Sequence, residues 1–372
     1  MKRGIIDCYS FFYSNLFLKY RQRVLNMITL QTHDIETVLT NYVSKNILNR
    51  EDTELIDFFQ PSGGWSDEAY VFTLSWKENA KWKKQGFVVR KAKNGGLTFG
   101  EKDLYPQYGI LDELSKHSSL PVPKVYIFEK NKSILGNEFF VMEKLEGASY
   151  VPWSKEGRAF FQKAAKGDIP KQFVRYLADL HTLDYESLDL SQSLFKGSRV
   201  DYIDFKIKEL ENVYATFKFM DDPIVVDGIE WLSVNKPEPI PLSIIHNDYR
   251  TGNLMYKEDK ITGILDWEAA EIGDPRMDIA YVCAKANRMD SPLLSYLIEK
   301  DTFFMEYKER TNLEFSEGDI FYFEVYHQLK FLMISLSAAN AFIKEGSTDL
   351  RMARQGFRLT LMKNMLAELL GY

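Results

Sequence analysis

The stretch from Ile244 to Asp278 limits what this chain can become more than any other. At its centre is HNDYRTGN, residues 246–253, where His246, Asp248 and Asn253 share one short loop between apolar runs. LMY, the charged KEDK and ITGIL follow, and then Asp266. Two short apolar segments around a polar turn spell a β-hairpin. The residue that begins the first strand of an antiparallel hairpin lies beside the one that leaves the second. Asn253 and Asp266 are therefore expected side by side at the open end, with Asp248 in the adjoining loop.

Taken singly, such residues usually serve turns, because Asn and Asp side chains bond their own backbone. Their spacing before this hairpin points elsewhere. An amide oxygen and a carboxylate facing one space suit Mg²⁺, a hard cation commonly held by one or two protein groups plus substrate phosphates. An aspartate beside them that can take a hydroxyl proton completes an arrangement for phosphoryl transfer, where positioning and charge neutralisation do most of the work. Asp278, in DPRMDIAYVCAKA, reads equally well as a residue near a helix start.

The rest of the chain divides in two. Apolar residues at helical spacing (Ile35, Val38, Leu39, Tyr42, Val43) predict a helix from near Asp34. FFQPSGGWSDEAYVFTLSW reads as strand, glycine-bearing turn, strand, and GFVVRKA as a further strand after a charged turn at 77–85. A helix over 105–116, an extended segment after the prolines of LPVPKVYIF, and the strand EFFVMEKLEG complete a small sheet region over about 55–145. From Gly147 the pattern is mostly helical, including FVRYLADLHTL, YIDFKIKELENVYATFKFM and SPLLSYLIEKDTFFMEYKER. His181 shares its helix with Leu177, Leu180 and Leu183 and reads as a satisfied histidine at the core's edge. The aromatic stretches at 303–310 and 321–331 read as helix core. At 372 residues the chain exceeds one minimal core.

The pattern His246-x-Asp248-x-x-x-x-Asn253, then Asp266-Trp267-Glu268 and Gly273-Asp274-Pro275-x-x-Asp278, resembles the aminoglycoside phosphotransferase and choline kinase family, within the protein-kinase-like superfamily. The resemblance runs from about Ser62 to Tyr281. Its wording is most similar to the branch that includes kinase domains fused to acyl-CoA dehydrogenases. It implies an α+β, two-lobed protein-kinase-like fold: an N-terminal extension over 1–26, a small antiparallel-sheet N-lobe over 27–145 that binds nucleotide, and a mainly helical C-lobe over 146–372 with the catalytic loop and the acceptor site. By position, Asp248 would be the catalytic base, His246 the organiser of its loop, and Asn253 and Asp266 the Mg²⁺ ligands. Arg90 matches the basic residue on the phosphates, while Lys91 points to the other face of a regular strand. Gly63, Gly64 and Ser66 match the phosphate-covering turn, where glycine lets backbone N–H groups approach an anion. Main-chain groups near Glu143 and Leu145 would read the adenine edge of ATP. The family's N-lobe helix usually offers a Glu to the basic residue; here the register places Gln107, so Glu101 or Asp103 would substitute, or the pair would be absent.

The expected activity is ATP- and Mg²⁺-dependent transfer of the γ-phosphoryl group to a small-molecule hydroxyl, on a hydroxylated metabolite, a hydroxyacyl-CoA or an aminoglycoside-like acceptor. A nucleotide-binding pseudokinase acting as an interaction module is one alternative. A protein kinase is another, set back by the absence of HRD, DFG and APE wording. No GxxxxGK[ST], GxSxG, HExxH or GxGxxG occurs, which sets aside P-loop, α/β-hydrolase, zincin and simple Rossmann chemistry. A formal net charge of −6 gives no footprint for nucleic acid. Cys8 and Cys283 are the only cysteines, which fits a reducing, cytoplasmic setting. The apolar part of residues 1–26 is too short to span a bilayer and makes a poor signal peptide.

Overall fold

The computed structural model describes residues 34–61, 67–92, 103–190, 195, 197–288 and 291–372. The leading extension over 1–26, the phosphate-covering turn at Gly63, Gly64 and Ser66, and Glu101 lie outside the described residues.

Helix α1 covers residues 34–43 and runs into a π-turn at Ser44–Leu48. Strands β1 (Glu54–Phe59), β2 (Asp67–Glu78), β3 (Lys81–Ala92), β4 (Val125–Glu129) and β5 (Phe139–Glu143) form one antiparallel sheet in the order β1-β2-β3-β5-β4, with helix α2 (Tyr105–His117) inserted before β4. Period-2 alternation gives the sheet two different faces. Tyr70, Phe72, Leu74, Phe87 and Val89 pack with Leu39 and Val43 of α1 on one face. Ala69, Val71, Val88 and Arg90 face a cavity on the other. The charged turn expected at 77–85 shrinks to Asn79 and Ala80, both with positive φ (48° and 62°), so β2 and β3 extend to a two-residue hairpin. Two successive left-handed residues match the twist of paired strands, which a longer loop would lose.

The chain then becomes helical: α3 (Lys155–Ala164), α4 (Ile169–His181), α5 (Tyr202–Phe217) and α6 (Pro223–Val234). The short strand β6 (Ser243–Ile245) leads into the 246–253 loop, β7 (Leu254–Lys257) and β8 (Lys260–Ile264) make the expected hairpin, and β9 (Glu271–Gly273) pairs back with β6. Helices α7 (Arg276–Cys283), α8 (Lys285–Arg288), α9 (Lys300–Thr311), α10 (Glu317–Ile343), α11 (Leu350–Gly356) and α12 (Leu359–Leu370) follow. The helix read into SPLLSYLIEKDTFFMEYKER starts only at Lys300, because Ser295 and Tyr296 have positive φ and Leu294 bridges Ile298 in a tight turn. Phe303, Tyr307, Phe323 and Tyr326 are buried, so the aromatic stretches serve mainly as helix core. No helix among the described residues is long and apolar enough to cross a membrane.

The link between sheet and helices touches the hairpin directly. Ala148 and Tyr256 exchange two backbone hydrogen bonds of 2.9 Å. Gly147 reaches that bridge at φ +124°, where an added Cβ would lie 2.6 Å from the Tyr256 carbonyl oxygen. Only glycine fits there.

Candidate active site

The hairpin brings the expected residues together. Leu254 pairs with Ile264, and the Leu265 N–H donates to Asn253 O at 2.8 Å, which sets Asn253 beside Asp266 at the open end. Asn253 Nδ2 donates to Asp248 Oδ2 at 2.6 Å and to Asp248 O at 3.0 Å. With both donations made by nitrogen, the amide oxygen of Asn253 is left for another partner. On the other side of Asp248, Oδ1 accepts from Arg250 Nε at 3.0 Å and from the Tyr281 hydroxyl in a short hydrogen bond.

His246 is fully buried, and both its ring nitrogens are engaged. Nε2 donates to Leu265 O at 2.8 Å while Nδ1 accepts from Asp248 N at 3.3 Å. The ring therefore ties the loop to the residue that leaves the hairpin's second strand. Asn247 (φ 61°) and Asp266 (φ 65°) both adopt the left-handed region, which short polar side chains tolerate better than others.

Beneath the loop lies Asp278, fully buried on α7. Its carboxylate accepts from the N–H groups of His246 at 2.7 Å and Asn247 at 2.6 Å. His181 Nε2 lies 3.1 Å away, and His181 Nδ1 bonds the Tyr307 hydroxyl at 2.6 Å. Burial pushes the Asp278 carboxyl up, but the bonds and charge of His181 and the loop N–H of His246 outweigh it and hold the group below its ordinary value. Helix α7 is itself pinned by Arg276, which bonds Asp274 Oδ2 at 2.6 Å and Asp319 Oδ1 at 3.1 Å.

The sheet supplies the opposite wall of a cavity of about 560 Å³, lined mainly by apolar side chains such as Val71, Val88, Leu111, Met142 and Ile264 and reaching Asn253 and Asp266. Arg90 Nη2 lies 3.0 Å from Asp67 Oδ2, 3.4 Å from Glu268 Oε2 and 3.7 Å from Asp266 Oδ1. Burial, then the charges of Glu268 and Asp248, push the Asp266 carboxyl up against the opposing pull of Arg90 and His246. Crowded carboxylates of this kind gain from a cation. At the connector, the N–H groups of Glu143 and Lys144 already donate to Lys124 O and Gly86 O. Leu145, next along, lines the cavity beyond the last sheet residue.

The model of the phosphotransferase enzyme family matches residues 59–310. The chain belongs to this family. As a member of the phosphotransferase enzyme family it has the two-lobed α+β kinase-like fold. Acyl-CoA dehydrogenase family member 10 of Mus musculus is 25% identical over 241 residues, 64% of this chain and 21% of that protein. The chain thus spans about a fifth of that relative's length. A crystal structure of a candidate aminoglycoside phosphotransferase from Ralstonia eutropha superposes with a TM-score of 0.68 at 20% identity, covering 90% of this chain and 97% of the other. A thermostable mutant of aminoglycoside phosphotransferase APH(4)-Ia, in ternary complex with ADP and hygromycin B, superposes with a TM-score of 0.55 at 15% identity, covering 84% and 94%.

Within this family frame, the structure brings Asp248, His246, Asn253 and Asp266 to one end of the hairpin, with Arg90 reaching Asp266 from the sheet. Lys91 turns away to Glu68 at 2.8 Å, as strand alternation requires. Asp103 does not pair with Arg90; its Oδ1 accepts from the Tyr105 N–H at 2.8 Å, just before α2. The carboxylate beside Arg90 comes instead from Asp67, one strand away. Tyr281, Arg250, Asp67 and Glu268 escaped sequence reasoning as site residues, because only their fold partners reveal them. DWE and the DYR of the loop were visible as wording, which could have drawn attention to Glu268 and Arg250.

Proposed function

We propose that this phosphotransferase moves the γ-phosphoryl group of ATP to a hydroxyl of a small molecule, with Asp248 as the base. The observation that carries the reading is the shared mouth of the hairpin, where Asn253 and Asp266 line the end of an apolar cavity and the Asn253 amide bonds Asp248. An apolar slot with a few polar groups at one end suits a nucleoside joined to a polyphosphate. The connector at Leu145, with Glu143 beside it, would hold the adenine edge, and Arg90 the phosphates.

The donor set fits a hard divalent cation: an amide oxygen and a carboxylate, the latter crowded by the negative charges of Glu268 and Asp248. Asn253 and Asp266 would hold Mg²⁺, whose charge would offset that of the phosphates when bound.

In the transfer, the acceptor hydroxyl loses its proton to an Asp248 oxygen as its own oxygen bonds to the γ-phosphorus. The bond from that phosphorus to the β–γ bridging oxygen breaks, and ADP leaves. The Asp248 oxygens are already oriented by Asn253, Arg250 and Tyr281, so little reorganisation is needed at the moment of reaction. The ADP and hygromycin B in the APH(4)-Ia complex support a nucleotide and a hydroxylated acceptor as partners. The likeness to an acyl-CoA dehydrogenase family member supports a hydroxylated metabolite or hydroxyacyl-CoA over an antibiotic.

Asp248→Asn tests the assignment. Turnover should fall by about 10²–10⁴-fold, the usual contribution of a general base, while Mg-ATP affinity stays within about twofold. Steady-state kinetics beside calorimetric titration reads both, and a variant with near-normal turnover would remove Asp248 as the base.

A further inference from the structure

A second group of charges lies behind the 246–253 loop, between β9, α5 and α10. Glu271 of β9 accepts from Asn247 Nδ2 at 3.0 Å and from the Tyr202 hydroxyl at 2.9 Å. Lys206 of α5 lies 3.1 Å from Glu271 and 2.5 Å from Glu209, and Arg250 is taken up by Asp248. Lys330 of α10 is the cation left over. It is half-buried, and no carboxylate among the described residues makes an ion pair with it. Its helix neighbours fix its place. His327, Lys330 and Phe331 stand at i, i+3 and i+4, so they share one face of α10. The rings of His327 and Phe331 lie 5.1 Å and 5.9 Å from that of Tyr281, whose hydroxyl bonds Asp248. Burial, then the ammonium of Lys206, push Lys330 below its ordinary value, and the charges of Glu271 and Asp248 offset only part of this.

We propose that Lys330 binds an oxyanion of the phosphoryl acceptor, so that the acceptor is a small hydroxylated anion with its carboxylate or phosphate on the α10 side of Asp248 and its hydroxyl at the base. The inference rests on the phosphotransferase reading of Asp248 and narrows the acceptor within it. A half-buried ammonium beside a like charge gains from an anion in hydrogen-bonding contact. Asp248 is not that anion, because Asn253, Arg250 and Tyr281 already occupy its oxygens. The same lysine acts against an aminoglycoside, whose protonated amines would be brought up against Lys330 and Lys206. It also favours a free acid over a thioester, since the acyl end of a thioester carries no charge.

Acceptors that differ only in charge test the proposal. The hydroxybutyrates against their primary amides probe for a carboxylate, and glycerol phosphate against glycerol probes for a phosphate, each with Mg-ATP and read as kcat/KM from ADP release. The wild type should prefer the charged member of at least one pair by about tenfold or more, the usual effect of a hydrogen bond to a charged group. The pair that shows the preference tells carboxylate from phosphate. Lys330→Met should reduce that preference about tenfold, chiefly by raising the KM of the anion, whereas Lys330→Arg should keep most of it. Calorimetric titration with Mg-AMP-PNP checks that each variant is folded; Lys330→Gln replaces Lys330→Met if the latter is not, and the wild-type comparison needs no variant. Equal use of charged and neutral acceptors, transfer to none of them, preference for hygromycin B over both anions, or a preference unchanged in a folded Lys330→Met would overturn the proposal. Failure of the wild type to bind Mg-AMP-PNP would strike the phosphotransferase reading itself, a result distinct from nucleotide binding without a preference for anions.

Discussion

The two walls of the cleft differ in where their charged groups find partners. On the helical side, Asp248 accepts on both oxygens, His246 uses both ring nitrogens, and Asp278 takes two loop N–H groups and a histidine. Among the buried side-chain atoms of that loop only Asn247 Oδ1 and Thr251 Oγ1 lack a partner. On the sheet side, Arg90 and Gln107 keep unpartnered atoms, and Arg90 leans on carboxylates of the opposite wall. On the proposed reading, the wall that would act on the acceptor's proton is built before any ligand arrives, whereas the wall that would receive phosphates would be completed by the ligand. Electrostatic stabilisation of a transition state needs the first arrangement. Binding a charged, flexible polyphosphate accommodates the second.

Substitutions on each wall should break the comparison differently. After Asp248→Asn, the largest effect is expected at Asp278. Asp278→Asn leaves one loop N–H without its acceptor and should cost about 2–3 kcal/mol at neutral pH, as expected for hydrogen bonds to a buried charge. Because the folded-state value of Asp278 is depressed, its stabilisation is complete above the unfolded value of about 3.9 and is lost as pH falls through the lower folded value. Urea unfolding over pH 2–7 should show that acid-side loss in wild type and a reduced one in the variant; equal pH dependence would dismiss Asp278 as the loop's anchor.

On the sheet wall the effect is smaller and falls on affinity. Asp67→Asn should weaken Mg-ATP about tenfold by calorimetry, with turnover at saturating ATP changed by less than about threefold; each tenfold is about 1.4 kcal/mol. A fall in saturated turnover larger than the change in Kd would mean that the walls are not separable. The smallest effect belongs to Tyr281→Phe. It removes one of three side-chain hydrogen bonds to the Asp248 carboxylate and should lower turnover about tenfold or less, with the KM for ATP unchanged. A raised KM for ATP instead would place Tyr281 on the nucleotide path.

These differences also explain what the sequence disclosed. The 246–253 loop and its hairpin were legible because strand period, turn residues and functional side chains fall within about two dozen positions. Asp278 was ambiguous because its partners lie 31, 32 and 97 residues away in sequence. Arg90 is singled out by the family resemblance and separated from Lys91 by strand alternation, but its carboxylate partner is not, since the choice of Asp67 over Asp103 depends on which strand neighbours β3. The short turn at Asn79 and Ala80 was hidden by a run of charged residues that belongs to exposed ends of paired strands rather than to a loop.

Thermal unfolding of wild type and Asp266→Ala, each with magnesium alone, ATP alone and both, tests the central claim most directly. A ligand at about 100 times its Kd adds roughly 2.7 kcal/mol, a shift of several degrees in a chain of this size. The combination should raise the midpoint of wild type well beyond either component, and should leave Asp266→Ala near its ligand-free midpoint. Equal stabilisation of both proteins, or no response in the wild type, would contradict a metal-nucleotide site at the mouth of the hairpin.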